Sequence, residues 1–179
     1  MKNFLYSLRL ALTLLLITSV VAAALAGVNL LTKDKIAAIA LQKTQNAIAQ
    51  VLEGEATPLT LSGDTGMVRS AYESQFGYAV EVATPGFGGN ITMMVGISKD
   101  GAITGISIIS HTETAGLGSV AAEDSAKGTA FRTQFAGISE AVSVDKDGGQ
   151  IDSLTGATIS SRAVTQGVNA AMEFVKSLG

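Results

Sequence analysis

The pattern of apolar and polar residues separates one long apolar segment from a region of shorter alternating segments. No charged residue occurs within residues 10–32, and this stretch supplies most of the about 20 residues that a helix needs to cross a bilayer. Helical spacing of apolar residues continues through residues 36–51, and Gly54 and Pro58 interrupt it. The pattern therefore predicts an apolar helix that continues into a stalk or a packed first helix.

The remainder of the chain predicts a mixed domain. Residues 76–83, 91–98 and 102–110 are typical of strands, and Asp100 and Gly101 form a hairpin turn before the third. A short strand at 141–144, a turn at 145–150 and a final amphipathic helix after Ser160 and Ser161 follow. We predict an α+β fold, with a single N-terminal transmembrane helix and then one mixed domain with antiparallel strands. The predicted boundaries are 1–9 for a short cytoplasmic N-terminus, 10–32 for the span, 33–57 for a juxtamembrane helix or stalk, and 58–179 for the domain.

The apolar segment has two interpretations. It is an uncleaved membrane anchor, or it is a signal peptide with Lys2 and Arg9 as its basic start. Its length favours the anchor, because a signal core is usually shorter. Basic residues do not fix its orientation, since Lys33 and Lys35 on the other side balance the first pair.

Composition excludes several classes of function. A net charge of −3 and a pI near 5.1 provide no basic field to hold nucleic acid. The absence of cysteine excludes disulfides, thiolate metal sites and iron–sulfur clusters held by this chain. His111 is the only histidine, so we predict no metal site, and no catalytic triad is present.

The segment DSLTGATISS, residues 152–161, carries the candidate chemistry. Gly156 and Ala157 precede Thr158 directly, and the start of the final helix lies beside that hydroxyl. A helix N-terminus stabilises a phosphate through its unpaired N–H groups and its dipole, and two small residues leave room for it. Thr158 is therefore a candidate to carry a phosphoester. The alternative is a simple turn followed by a serine N-cap, which needs no chemistry.

This segment resembles a known attachment site for flavin. The pattern formed by Asp152, Thr155, Gly156, Ala157 and Thr158 is similar to the site at which a flavin transferase attaches FMN. The chain resembles the G subunit of the Rnf complex, and the C subunit of the sodium-pumping NADH:quinone oxidoreductase is similar. The resemblance extends to the apolar N-terminus and to the segments PGFGGN at 85–90, HTETAGLG at 111–118 and FRTQFAG at 131–137. It implies FMN joined to Thr158 by a phosphoester, and a C-terminal domain outside the cytoplasm.

The resemblance also implies roles for two other segments. Residues 111–118 correspond to a flavin-facing loop, and in residues 85–90 Gly88 and Gly89 let the backbone approach the flavin site. Within residues 111–118, the resemblance implies five cofactor-binding residues: His111, Glu113, Thr114, Leu117 and Gly118. Without the resemblance, the simpler interpretation is that residues 85–90 form a tight turn and residues 111–118 form a solvated loop.

Four further positions concern the same resemblance. Ala115 stands where a proline is usual, and Ile138 stands where relatives often have a lysine. The interpretation of Phe131 and Phe135, four residues apart, is that both are core residues on one helix face.

The resemblance predicts an electron carrier. It implies a subunit of a membrane-bound, ion-translocating ferredoxin:NAD oxidoreductase, which is not a complete enzyme alone and has no catalytic residues of its own. The expected partners are the other membrane and redox subunits, the flavin transferase and the lipid bilayer. Two alternatives stay open: a flavin-free membrane-anchored binding or assembly module, and a stand-alone extracytoplasmic flavin reductase.

Overall fold

The N-terminal helix is the longest element of the protein. The computed structural model describes residues 2–61 and 65–178, and the ends of the predicted boundaries at 1 and 179 lie outside them. The chain divides into two compact units, Met1–Gln42 and Lys43–Gly179. Helix α1 spans Lys2–Val51, and its segment Leu8–Val51 is long and apolar enough to cross a membrane. The predicted end of the helix before Gly54 is confirmed.

A five-stranded antiparallel sheet forms the centre of the second unit. Its strands are β1 (Thr57–Pro58), β2 (Val68–Glu73), β3 (Gly77–Pro85), β4 (Asn90–Ser98) and β5 (Ile103–Ser110), in that order across the sheet. The last three confirm the predicted strands, and the predicted hairpin turn is confirmed by Gly101 at φ +83°. Sequence reasoning missed β1 and β2, because β1 has only two residues and β2, VRSAYE, mixes buried and half-exposed positions without clean alternation.

The two faces of the sheet are both covered. Val80, Val82 and Val95 pack with the last helix, whose Val164 and Val168 belong to the same buried cluster. Ala79 and Met94 face the other way, and Ala47, Val51 and Leu52 cover them. Side chains alternate between the faces of a strand, so β3 and β4 are buried on both sides. The first residues of the last helix are thereby held at a fixed place beside the sheet.

Shorter helices connect the sheet to that last helix. Two 3-10 helices span Gly118–Ala122 and Asp145–Asp147, and the α-helices are α2 (Ala126–Thr133) and α3 (Thr158–Lys176). The start of α3 confirms the predicted position of the final helix.

The predicted strand at 141–144 is wrong. Within the described residues this segment makes only an isolated bridge between Val144 and Ile151. The reason is that a side chain replaces a strand partner: the Val142 N–H donates to Asn169 Oδ1 at 2.8 Å, and the Val142 carbonyl accepts from Asn169 Nδ2 at 2.9 Å. With these groups satisfied by α3, no neighbouring strand is required.

The prediction for the two phenylalanines is correct in part. Phe131 and Phe135 are 2% and 0% exposed, and their rings meet edge to face with centroids 5.6 Å apart. They do not share a helix face, because α2 ends at Thr133. The chain tightens there, with the Phe135 N–H donating to the Arg132 carbonyl three residues back at 3.4 Å.

Candidate functional site

A tight turn delivers the candidate threonine to the first position of α3. The Ala157 N–H donates to the Leu154 carbonyl at 2.9 Å, and Gly156 adopts φ +75° within this turn. The buried Ser161 hydroxyl accepts from the Leu154 N–H and donates to the Ala157 carbonyl, both at 3.0 Å. Turn and helix are therefore one hydrogen-bonded unit, and Thr158 is the first residue of the helix.

The start of α3 leaves backbone donors available. Ala157 occupies the N-cap and makes no side-chain cap hydrogen bond. Across residues 2–61 and 65–178, the N–H groups of Thr158, Ile159 and Ser160 have no protein acceptor, as expected for the first turn of a helix. The partly exposed Thr158 hydroxyl also makes no hydrogen bond within that part of the chain. A free hydroxyl thus lies beside free N–H donors.

A buried carboxylate joins three segments at this point. Glu113, 8% exposed, accepts from the Gly88 N–H with Oε1 at 2.9 Å. Its Oε2 accepts from the Ser160 hydroxyl on α3. The turn at 85–90, the loop at 111–118 and the first turn of α3 are therefore held together by one side chain.

The glycines of the turn at 85–90 serve close packing with this loop. The Thr112 hydroxyl donates to the Gly88 carbonyl at 2.9 Å, and a Cβ on Gly88 would collide with the Thr112 carbonyl. A Cβ on Gly89 would likewise collide with the Thr112 hydroxyl. Both glycines therefore contact the loop itself.

A cavity of about 360 Å³ opens where the three segments meet, within the usual size range of small-molecule sites. The residues that line it are Phe87, Glu113, Thr114, Leu117, Gly118, Gly156, Ala157, Thr158, Ile159 and Ser160. Seven were predicted as site residues from the sequence. Loop and helix start are 38 or more residues apart in the chain, from Gly118 to Gly156, so folding alone brings them together.

Five predicted residues lie away from this cavity. Asp152 and Thr155 line a neighbouring cavity of about 460 Å³, which shares only Leu117 with the first. His111 supports the loop from within, since its Nδ1 accepts from the Glu113 N–H at 3.2 Å. Gly88 and Gly89, as described above, pack against Thr112.

Sequence reasoning missed three lining residues. Phe87 lies within a glycine-rich turn, and Ile159 lies off the apolar stripe of α3. Ser160 was considered as a cap and as a substitute acceptor for the flavin, but not as a residue of the cavity wall. A large aromatic residue among glycines is itself a signal, because a turn requires no such side chain. Phe87, Leu117 and Ile159 are 69%, 42% and 49% exposed, so apolar surface is left open around the cavity.

Two aspartates fix the segment that precedes the turn. Asp145 accepts from the Ser153 N–H at 3.0 Å, and the hydrogen bonds from Ser153 hold the pKa of the Asp145 carboxyl well below its usual range. Asp147 pairs with Arg162 of α3 at 2.6 Å. Arg162 lowers the pKa of Asp147, and Asp147 raises the pKa of the Arg162 guanidinium. These contacts anchor residues 145–153 against the helix.

Two family models match separate parts of the chain, one covering helix α1 and the other covering most of the domain. A family model described as the FMN-binding domain matches residues 86–173, and one described as the RnfG N-terminal region matches residues 1–51. The chain is also 34% identical to the G subunit of the Na(+)-translocating ferredoxin:NAD(+) oxidoreductase complex of Acetobacterium woodii, over 95% of this chain and 92% of that protein. The chain belongs to the family of G subunits of Rnf-type oxidoreductase complexes. The resemblance found in the sequence is confirmed.

Two other G subunits agree with this assignment. That of the ion-translocating oxidoreductase complex of Methanosarcina acetivorans is 31% identical over 94% of both chains. That of the proton-translocating ferredoxin:NAD(+) oxidoreductase complex of Clostridium ljungdahlii is 43% identical, over 55% of this chain and about half, 52%, of its own length. The α+β fold with an apolar N-terminal helix is likewise confirmed, and the matched FMN-binding domain contains the whole cavity.

Proposed function

We propose that this chain is an electron-carrying subunit of an Rnf-type, ion-translocating ferredoxin:NAD oxidoreductase, with FMN joined by a phosphoester to Thr158. One observation carries the proposal: Thr158 lines the same cavity as Glu113, Thr114, Leu117 and Gly118 of the loop. The match to the FMN-binding domain and the names of the relatives support the flavin and the complex.

The start of α3 suits the phosphate end of FMN. Its free N–H groups and the positive end of the helix dipole stabilise an anion without a basic side chain. The lining residues indeed include no lysine or arginine. Of the hydroxyls near this turn, Ser160 and Ser161 are 2% and 0% exposed and hydrogen-bonded. Thr155 is exposed but lines the neighbouring cavity, whereas Thr158 is partly exposed and lines the cavity shared with the loop. Thr158 is therefore the acceptor that the geometry favours.

The loop suits the ring end of FMN. Leu117 provides apolar contact, Thr114 provides a hydroxyl, and the backbone at Gly118 lies at the cavity wall. Bound FMN supplies the electron transfer, because its ring accepts and releases one or two electrons. The protein positions the ring, and a covalent link keeps it at high effective concentration near its partners.

The proposal includes partners and a location. A flavin transferase attaches the FMN, and the other membrane and redox subunits donate and accept the electrons. Helix α1 anchors the chain in the cytoplasmic membrane through a single span, and the domain lies on the extracytoplasmic side.

The first prediction tests the acceptor. Thr158→Ala should abolish the covalent flavin while changing the free energy of unfolding by no more than about 1 kcal/mol, since the hydroxyl has no hydrogen bond to lose. The chain is produced with its flavin transferase, and intact mass and in-gel fluorescence after denaturation report the adduct. Thr129→Ala is the control: this exposed threonine of α2 lies outside the attachment motif and lines neither cavity, so the adduct on Thr158 should remain.

The same measurement separates the alternatives. A fluorescent band in Thr158→Ala after denaturation would show that the flavin is attached to another residue. A wild-type chain of unmodified mass, produced with an active transferase, would favour the flavin-free binding module. Turnover of a flavin substrate by the purified chain without partners would favour the stand-alone reductase.

A further inference from the structure

Exposed aromatic side chains are rare in the domain, and one of them stands at the cavity. Among the described residues from 43 onward, the exposed large apolar side chains are Phe76, Phe87, Leu117, Ile159 and Leu178. Three of these five line the single cavity beside Thr158. A single exposed apolar side chain is ordinary on a protein surface, but three of them around one cavity, with Phe87 69% exposed, form an apolar patch of the kind that marks a binding site.

The position of Phe87 is fixed by its neighbours. The Gly86 N–H donates to the Gly89 carbonyl at 2.8 Å, closing a turn around Phe87. The next N–H, that of Gly88, is held by the Glu113 carboxylate at 2.9 Å. The same carboxylate binds Ser160, so the backbone that carries Phe87 is tied to the helix that carries Thr158.

We infer that Phe87 contacts the isoalloxazine ring of FMN attached at Thr158 and covers part of one of its faces. The inference rests on the proposed function. A flat aromatic ring in a cavity with apolar walls gains both area burial and stacking with a phenyl group. Phe87 is therefore a cofactor-contacting residue in the turn at 85–90, where the sequence had indicated only glycines.

Fluorescence provides a direct test, because this chain has no tryptophan. Its three tyrosines also lie outside the residues that line the cavity. An indole in contact with an excited isoalloxazine ring transfers an electron to it, which then returns, so emission is lost without net chemistry. Phe87→Trp should therefore lower the native emission of the attached flavin severalfold relative to wild type. Denaturation should restore it to the wild-type value per adduct.

Phe76→Trp is the matched control. Phe76 is 50% exposed and lines a separate cavity with Val51 and Leu52. Phe76 lies just before β3, and Phe87 lies just after β3. The two ends of this nine-residue strand are about 26 Å apart, at about 3.3 Å per residue. Phe76→Trp should leave the native emission unchanged.

A second pair of variants covers the case in which the tryptophan blocks loading. Phe87→Ala should increase collisional quenching of the attached flavin by iodide, because part of the ring is uncovered, and Phe76→Ala should not. Equal native emission of Phe87→Trp and Phe76→Trp, or equal iodide quenching of the alanine pair, overturns the contact. Absence of any adduct in wild type produced with an active transferase overturns the proposed function instead.

Discussion

At the scale of single residues, Glu113 has a role that its surroundings define. Both carboxylate oxygens are used, one by Gly88 and one by Ser160, and neither partner is close to Glu113 in the chain. A hydrogen bond to a charged group is stronger than one between neutral groups. Glu113 therefore both places a negative charge at the cavity wall and holds that wall together.

The second prediction separates these two effects. Glu113→Gln keeps an oxygen that can accept from Gly88, so the covalent flavin should remain. Loss of the negative charge should raise the reduction potential of the flavin, because the anionic reduced ring is no longer disfavoured. Leu117→Ala should likewise keep the adduct and shift the potential or the rate of electron transfer in the assembled complex.

Redox titration of the attached flavin measures this effect. Glu123→Gln serves as the control, since Glu123 accepts from Ser119 at 2.9 Å and does not line the cavity. If wild type, Glu113→Gln and Leu117→Ala share one potential and one rate, the loop does not tune the ring.

At the scale of elements, the turn before α3 depends on one backbone conformation. Gly156 has φ +75°, which L side chains rarely adopt, and an added Cβ would also lie 3.2 Å from Leu117 Cδ2. The glycine of the motif is thus required twice, for the turn and for the closeness of the loop.

The third prediction uses a second glycine to separate these requirements. Gly156→Ala should lower the free energy of unfolding by about 1–2 kcal/mol from the left-handed backbone, and Gly137→Ala, at φ +83° with open space around it, by a similar amount. Only Gly156→Ala should also reduce flavin loading, as measured by intact mass. Equal loading in both variants would show that the turn tolerates a displaced Leu117.

The fourth prediction is that acid weakens the hydrogen bond between Asp145 and Ser153, in the segment that leads into this turn. Because the folded-state pKa of Asp145 is lowered by Ser153, its hydrogen bond stabilises the segment above the ordinary carboxyl pKa of about 3.8. The stabilisation is lost as the pH falls below that value, through the lower folded-state pKa. Hydrogen-exchange protection of the Ser153 amide should therefore decline in strong acid. Asp145→Ala should show the lower protection already at neutral pH, and protection that does not change with pH in wild type would contradict this.

At the scale of the whole molecule, the chain joins an apolar helix to a folded domain. Residues 10–32 have no charge, and Leu8–Val51 forms one candidate span. The fifth prediction is that this helix stays uncleaved and that the domain lies outside the cytoplasm. Protease added to intact spheroplasts should digest the domain, because it is then accessible. Digestion only in inverted membrane vesicles would indicate that the domain lies on the cytoplasmic side. Loss of the N-terminus from the mature chain would indicate a signal peptide.

The sequence by itself determined the features that local patterns encode. An uncharged apolar stretch of this length predicts a membrane span. The helical spacing of apolar residues after Ser161 predicts a helix start beside Thr158, and Gly156 and Ala157 predict room for a phosphate there. Strands β3, β4 and β5 were evident because their apolar residues form clear runs. The strand wrongly predicted at 141–144 shows the limit, since Asn169, distant in the chain, satisfies the backbone of Val142.

Only the tertiary structure decided which residues meet. Phe87, the loop at 113–118 and the start of α3 converge because Glu113 bonds both to Gly88 and to Ser160. No local pattern encodes such a contact, since it depends on the sheet register and on how α3 packs across it. For the same reason Asp152 and Thr155, six and three residues before Thr158 in the motif, line a different cavity. The turn at Gly156 reverses the chain between them, so neighbours in sequence are separated by the fold.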